Sequence, residues 1–238
     1  FCLQPSQLIS IKSIGLGESD IQERISKIAI PPQIQLGFRA EIGEVQTKLL
    51  FPGDYPQGDI DNLAQRIASL IGDAVYVIDG LNQRTDKHQS YDLVSVLDLL
   101  MIAESQTLAV VETTSQGLLA AKLLGVNWLL SATYEQSTER LTQRLDVDYH
   151  PNNLSATAKA IAKAIQKITG STMVIVQLMP DNHKAAQTND QAVTITNTLL
   201  VNNDYKVVAR TIAGDPKRKQ QQAALLSLYL LRRHLQGK

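Results

Sequence analysis

The sequence lacks the features of a disulfide-bonded, membrane-spanning or strongly charged protein. Its 238 residues include a single cysteine, Cys2, which excludes a disulfide within the chain and fits a reducing compartment, the cytoplasm. No apolar run reaches the ~18 residues that a membrane-spanning helix needs, and no signal peptide precedes the first predicted strand. Lysine plus arginine equals aspartate plus glutamate, at 23 each. We therefore expect neither nucleic acid nor a membrane as a partner.

The remaining composition is that of an ordinary globular protein. Hydrophobic residues make up 44% of the chain and charged residues 19%, and the length suits one large or two small domains. The histidines, at 88, 150, 183 and 234, are scattered without the spacing of metal ligands, so no metal ion and no cofactor is predicted. The chain opens on Phe1 rather than methionine, and we expect it to be a piece of a longer protein.

The first 80 residues have the pattern of a small α+β domain. A half-buried strand is predicted at 8–16, followed by a helix that ends near residue 29. Two further alternating segments are separated only by Ile42 and Gly43, which indicates a hairpin. An amphipathic helix at 59–71 and a fourth strand complete the order β-α-β-β-α-β, which is that of a split βαβ sandwich.

The stretch GLNQRTDKHQS, residues 80–90, is the best linker candidate because it is polar and rich in turn-forming residues. It separates two predicted domains, 1–80 and 90–238. In the second domain helices alternate with strands, which indicates a layered α/β domain. Its last strands read as a hairpin with Asn202, Asn203 and Asp204 in the turn.

A hydroxyl-rich turn lies in TLAVVETTSQGLLAAKLLG, residues 107–125. This stretch runs from a buried strand through Thr113, Thr114 and Ser115 into an apolar helix predicted at 116–124. Many enzymes place a nucleophile at such a turn, but a cluster of threonine and serine before a helix is more often its N-terminal cap. We therefore predict a cap, with a nucleophile as the alternative.

Four segments, in a shared order, resemble the CinA (competence/damage-inducible protein A) family. The resemblance covers nearly the whole chain but leaves out the family's molybdopterin-binding-like first domain. It implies a KH-like middle domain followed by a C-terminal domain of the nicotinamide-nucleotide amidase type. The segments are IGLGESDIQERI, AEIGEVQTKL, TLAVVETTSQGLLAAKL and AGDPKRKQQQAALLSLYLLRRHL.

The resemblance implies hydrolysis of nicotinamide mononucleotide to the acid and ammonia. The family's serine nucleophile lies in E-S-C-T-G-G and is helped by a tyrosine and a lysine from Y-S-N-E-A-K and by a G-I-A-G-P loop. Here Thr113 holds the nucleophile position, and Gln116 replaces the first glycine of the pair. Tyr134 is retained, but Glu139 stands where the lysine belongs, beside Arg140. VIVQLMPDN falls where the glycine loop is expected, and it has no glycine.

These departures predict a degenerate amidase. Thr113, Ser115 and Tyr134 are then vestigial candidates for the catalytic residues, and the chain acts as a scaffold or binds a small molecule similar to a nicotinamide nucleotide. One alternative is an active amidohydrolase that uses Thr113 on nicotinamide mononucleotide or a related amide. Another is a structural module that supports an absent catalytic first domain.

A homodimer is also predicted. The resemblance implies self-association through the C-terminal domain. The closing helix, which Asp215 should cap with Pro216 in its first turn, carries more large apolar residues than one helix face usually buries. These residues are Leu225, Leu226, Leu228, Tyr229 and Leu231.

Limited proteolysis tests the predicted division into domains. Cleavage should begin within 82–90, because exposed polar linkers open most easily to a protease. The measurement is mass spectrometry of the first fragments formed at low protease concentration. First cleavage inside a predicted helix, with the linker intact, would show that the boundary is wrong.

Overall fold

The structure is a computed structural model that describes residues 5–81, 91–180, 183–189 and 191–237. It consists of two compact units, Phe1–Val96 and Leu97–Lys238. The predicted linker falls at 82–90, outside the described residues, so its role as a linker stays a prediction.

The first unit contains one four-stranded sheet with two helices. Its strands lie in the order β2-β3-β1-β4 and are antiparallel throughout. The split βαβ arrangement predicted from the sequence is confirmed, because β3 lies between β1 and β2. The elements are β1 (Gln7–Ile14), α1 (Glu18–Ile25), β2 (Gln35–Glu41), β3 (Glu44–Phe51), α2 (Gln57–Ile71) and β4 (Val75–Asp79).

Alternation along the strands builds the core of this unit. Ile9 and Ile11 on β1, like Leu49 and Phe51 on β3, are fully buried and belong to one cluster with the apolar residues of α1 and α2. The period of two in the sequence therefore does place one face of the sheet under the helices. Helix α1 is shorter than predicted and ends at Ile25 rather than near residue 29.

Two polar contacts in the same unit were not predicted from the sequence. Lys12 is 7% exposed and pairs with Asp79 at 2.7 Å, while its Nζ donates to the Tyr91 carbonyl at 2.6 Å. The Tyr76 hydroxyl donates to Glu44 Oε1 at 2.8 Å, and burial, followed by the charge of Glu44, raises the pKa of Tyr76 above its usual range. A buried ammonium needs such partners, because desolvation penalises an unpaired charge.

The second unit is built on a five-stranded mixed sheet, which confirms the predicted layered α/β class. The strand order is β6-β5-β7-β8-β9; β5 runs parallel to β6 and β7, and β8 and β9 are antiparallel to their neighbours. The helix α3 (Leu93–Ala103) leads into it. The further elements are β5 (Leu108–Glu112), α4 (Leu118–Lys122), β6 (Leu129–Tyr134), α5 (Thr138–Leu145), α6 (Leu154–Thr169), β7 (Met173–Leu178), α7 (His183–Gln187), β8 (Val193–Val201), β9 (Asp204–Ile212) and α8 (Pro216–Leu235).

The hairpin β8–β9 turns through only two residues. Asn202 and Asn203 have φ values of 50° and 70°, in the left-handed region that asparagine tolerates better than most residues. Asp204 already belongs to β9. The hairpin is confirmed, and its turn is one residue shorter than predicted, because a two-residue turn with positive φ matches the twist of the strands.

The closing helix α8 begins as predicted, since Asp215 Oδ1 accepts the Arg218 N–H at 2.9 Å. Its apolar residues are used within the chain: Leu225, Leu228 and Leu231 are buried. The number of large apolar residues on α8 therefore gives no support to a dimer that forms through this helix. The homodimer itself stays a prediction.

No helix in the described ranges is both long and apolar enough to cross a membrane. Nor do the described residues bring together three or more His, Cys, Asp or Glu side chains that could hold a metal ion.

Gly80 tests how closely the backbone packs in the first unit. Its φ is +94°, and an added Cβ would lie 2.5 Å from the Leu8 carbonyl oxygen, whereas Gly15, at φ +80°, has nothing within 4 Å. Both substitutions to alanine incur a left-handed penalty of about 1–2 kcal/mol. Gly80→Ala should cost about 1–3 kcal/mol more, because backbone must move. Urea unfolding measures the difference, and equal losses of stability would contradict it.

Candidate functional site

The site begins at Glu112, the last residue of β5, whose side chain is fully buried. Its carboxylate accepts the backbone N–H of Leu119 at 3.0 Å and that of Ala120 at 2.9 Å. The Ser115 hydroxyl also donates to it. Helix α4 thus has its first free N–H groups satisfied by a carboxylate from the preceding strand.

The hydroxyls of the turn point into the interior. Thr113 is 1% exposed and Ser115 is 0% exposed. Thr113 Oγ1 donates to the Gln177 carbonyl at 3.2 Å and lies 3.5 Å from the Thr114 hydroxyl. The Ser115 N–H and hydroxyl both lie within hydrogen-bond distance of Gln177 Oε1, at 2.9 and 2.8 Å. Both hydroxyls are therefore engaged by groups of the same chain.

The prediction that these hydroxyls cap the next helix is wrong. The cap residue of α4 is Gly117, which has φ +88° and no side chain, and the capping acceptor is Glu112. Gln116 also has a left-handed backbone, with φ +52°. These two consecutive residues delay the start of α4 to Leu118, and the helix also ends at Lys122, so that it is shorter than the predicted 116–124 at both ends.

A row of buried polar side chains crosses the sheet from this turn. The strand register places Glu112 beside Gln177, and Gln177 beside Asn197. Gln177 Nε2 donates to the Ala223 carbonyl at 3.0 Å and to Ser227 Oγ at 2.8 Å, and Ser227 Oγ donates to Asn197 Oδ1 at 2.6 Å. Together with Ser115, these side chains link β5, β7, β8 and α8.

Gln116 is exposed and bridges the turn to the closing helix. Its Oε1 accepts a hydrogen bond from Gln220 Nε2 at 2.6 Å. In the family that the sequence resembles, this position is a glycine. Here the longer side chain ties the outer surface of the turn to α8.

The other predicted site residues are exposed and take no part in the buried hydrogen-bond network. Tyr134 ends β6 in register with Glu112 and is 45% exposed. Glu139 and Arg140 are exposed residues in the first turn of α5. Within the described ranges the hydrogen bonds of Thr113 go only to Gln177 and Thr114, so no lysine, arginine or histidine there is hydrogen-bonded to its hydroxyl.

Comparison with known proteins finds CinA-like relatives. The "CinA-like protein" of Shewanella pealeana is 23% identical over 177 residues, covering 71% of this chain and 39% of the relative. That of Shewanella loihica is 24% identical over 168 residues, with 67% and 37% covered. The chain is thus similar to CinA-like proteins over about two thirds of its length. No family model matches it, and it spans less than two fifths of the length of these CinA-like relatives, 39% and 37%.

Solved structures of the CinA superfamily share the fold. The competence or damage-inducible protein of Enterobacter asburiae has 16% identity and a TM-score of 0.51, covering 61% of this chain and 99% of that one. The CinA superfamily protein of Klebsiella pneumoniae 700603 has 16% identity and a TM-score of 0.52, with 61% and 97% covered. At this identity the likeness concerns the CinA fold alone.

Substitution of the turn hydroxyls should separate their structural roles. Ser115→Ala removes a donor from the buried Glu112 carboxylate and should cost about 1.5–3 kcal/mol, because hydrogen bonds to charged groups are the stronger ones. Thr113→Val should cost about 0.5–1.5 kcal/mol, because the Gln177 carbonyl keeps the Thr113 N–H at 3.2 Å. Urea unfolding measures both. A larger loss for Thr113→Val would contradict this reading of the network.

Proposed function

We propose that this CinA-like chain carries an amidase-type domain that is catalytically impaired and serves as a structural scaffold. One observation carries the proposal. Thr113 and Ser115 are only 1% and 0% exposed, and their hydroxyls form hydrogen bonds inside the chain. A nucleophile must reach its substrate, and these groups are turned away from solvent.

Amide hydrolysis also needs a base that takes the proton from the attacking hydroxyl. The acceptor of the Thr113 hydroxyl is the backbone carbonyl of Gln177, and a carbonyl is not a base that could fill this role. Glu139, at the position of the family's lysine, is exposed on α5. An acidic side chain there cannot supply the cationic role of lysine.

Gln116 adds a second obstacle to catalysis. An oxyanion forming at the turn would need free backbone donors, which a glycine-rich turn can present at close range. The Gln116 side chain is instead bound to Gln220 across the outside of the turn. A substrate approaching the turn from that side would have to break this hydrogen bond first.

The scaffold role follows from what the same residues stabilise. Ser115 and Gln177 join the turn to β7, and Ser227 joins both to α8. A buried polar network whose members are hydrogen-bonded specifies one packing arrangement. The proposal keeps a nicotinamide nucleotide as the ligand class to test, and it places the chain in the cytoplasm.

Ammonia release from nicotinamide mononucleotide tests the proposal directly. The purified chain should show no turnover above the buffer blank, because loss of a general base costs ~10²–10⁴-fold and loss of an oxyanion donor ~10²–10³-fold. Thr113→Ser should give no rescue, because the proton acceptor is still missing. A family member with the serine and the lysine serves as positive control.

One outcome would reverse the proposal. Turnover in the ordinary range of ~1–10³ per second that disappears in Thr113→Ala, with the variant still folded by circular dichroism, would show that the chain is an amidohydrolase with a rebuilt catalytic group.

A further inference from the structure

A groove of about 500 Å³ lies in the first unit, beside α2 and the segment that follows α1. The two helices pack through apolar side chains, among them Ile25 and Ile67, and Arg24 Nη1 donates to the Ile71 carbonyl at 2.6 Å. Ligand sites in proteins have volumes of about 300–1,000 Å³. The groove is therefore large enough for a small organic molecule, and the contacts between the helices hold its walls in place.

One wall of the groove is the polar face of α2. Asn62, Gln65, Arg66 and Ser69 line this wall and are exposed. They share one face because positions three, four and seven apart lie above one another on a helix. The opposite face of α2, which includes Ile67, is buried. The groove thus presents polar side chains from a helix whose other face is fixed by packing.

The charged side chains of the groove are all positive. The described residues that line it include Lys27 and Arg66 but no aspartate or glutamate, and no ion pair within the described ranges uses either cation. The positions three and four residues from Arg66 along α2 hold no acidic residue, and Asp61 accepts from Gln57 at 2.8 Å. Two cations without a carboxylate on one concave surface attract an anion.

Uncharged groups complete the lining. Among the described residues, none forms a hydrogen bond with the side-chain amide of Asn62 or Gln65, and each amide offers donors and an acceptor. The Ser69 hydroxyl donates to the Gln65 carbonyl at 2.8 Å, which leaves its oxygen as an acceptor. Ile28 and Leu70 are half-buried and apolar. This set suits a molecule that has an anionic group, polar edges and an apolar body.

Helix α1 ends beside the groove, and free carbonyl groups at a helix end disfavour an anion. Most of these carbonyls are occupied. Those of Gln22 and Ile25 accept the N–H groups of Ser26 and Ile28, both at 2.9 Å, and the Glu23 carbonyl accepts the Ser26 hydroxyl at 2.7 Å. The end of α1 therefore opposes the attraction of the two cations only weakly.

We propose that this groove binds a phosphate monoester of mononucleotide size. The Arg66 guanidinium donates two parallel N–H groups to the phosphate, a geometry that lysine cannot offer, and the Lys27 ammonium supplies the second positive charge. A phosphate suits the pair better than a carboxylate, because it carries a charge of about −1.5 to −2 near neutral pH. Asn62 and Gln65 bind the polar edges of the molecule. The proposal does not rest on the amidase-type turn, which belongs to the second unit.

Amide NMR of the full chain, titrated with adenosine 5′-monophosphate at low ionic strength, tests the site. The signals of residues 62–70 should shift in a saturable way. Adenosine should bind about tenfold or more weakly, because it lacks the group that makes the charge-assisted hydrogen bonds. Inorganic phosphate should displace the nucleotide, and added salt should weaken binding, because exposed charges are screened.

Substitution of the two cations tests their roles. Arg66→Gln should raise the Kd for adenosine 5′-monophosphate about tenfold or more, and Lys27→Gln should raise it by a smaller factor, because lysine acts as a point charge. The matched control is Lys48→Gln in the same unit. Leu49, its neighbour on β3, packs under the helices, so Lys48 lies on the opposite face of the sheet and its loss should leave the Kd unchanged. Circular dichroism checks that each variant is folded.

Four results would overturn the proposal. They are the absence of saturable shifts at 62–70, equal binding of adenosine, a Kd that Arg66→Gln leaves unchanged, and an equal loss of binding in Lys48→Gln, which would indicate a general charge effect. A single-stranded oligoribonucleotide that binds far more tightly at the same signals would also overturn it and assign the groove to an RNA strand. None of these measurements depends on the outcome of the ammonia assay.

Discussion

The buried amide of Gln177 is the contact on which the second unit depends. Its oxygen lies within hydrogen-bond distance of the Ser115 N–H and hydroxyl, and its nitrogen donates to α8 at the Ala223 carbonyl and the Ser227 hydroxyl. A buried polar group left without a partner costs about 1–3 kcal/mol, roughly twice the net contribution of a typical hydrogen bond. The position of the turn, the central strand β7 and the closing helix are therefore fixed together.

This constraint also explains why a turn whose sequence resembles a catalytic turn has a structural role in the folded protein. A strand that ends in a hydroxyl-rich turn gives its side chains two possible directions, toward solvent or toward the neighbouring strand. Glu112 and Gln177, both buried, draw Ser115 inward. Once the hydroxyls satisfy these interior groups, using them for chemistry would leave buried polar atoms unpaired.

The two units satisfy their buried charged groups in different ways. In the second unit the Glu112 carboxylate accepts a hydrogen bond from Ser115, and neutral amides and hydroxyls continue the hydrogen-bond network across the sheet. In the first unit the buried Lys12 ammonium pairs with Asp79 and donates to the Tyr91 carbonyl. A lost partner should be costlier in the ion pair, because an uncompensated buried charge is penalised more than an unpaired amide.

The sequence alone determined what is local. Period-two alternation predicted the split βαβ sheet, the Asn202–Asn203 turn followed from residues that tolerate positive φ, and Asp215 marked the start of α8. The tertiary structure alone decided which partners meet. Gln177 is the one polar residue in the strand sequence MVIVQL, which indicates that it needs a partner but does not say which one. Its partners come from a turn and a helix that only strand register and helix packing bring within hydrogen-bonding distance, and those contacts gave the Thr113 and Ser115 hydroxyls their place in the interior.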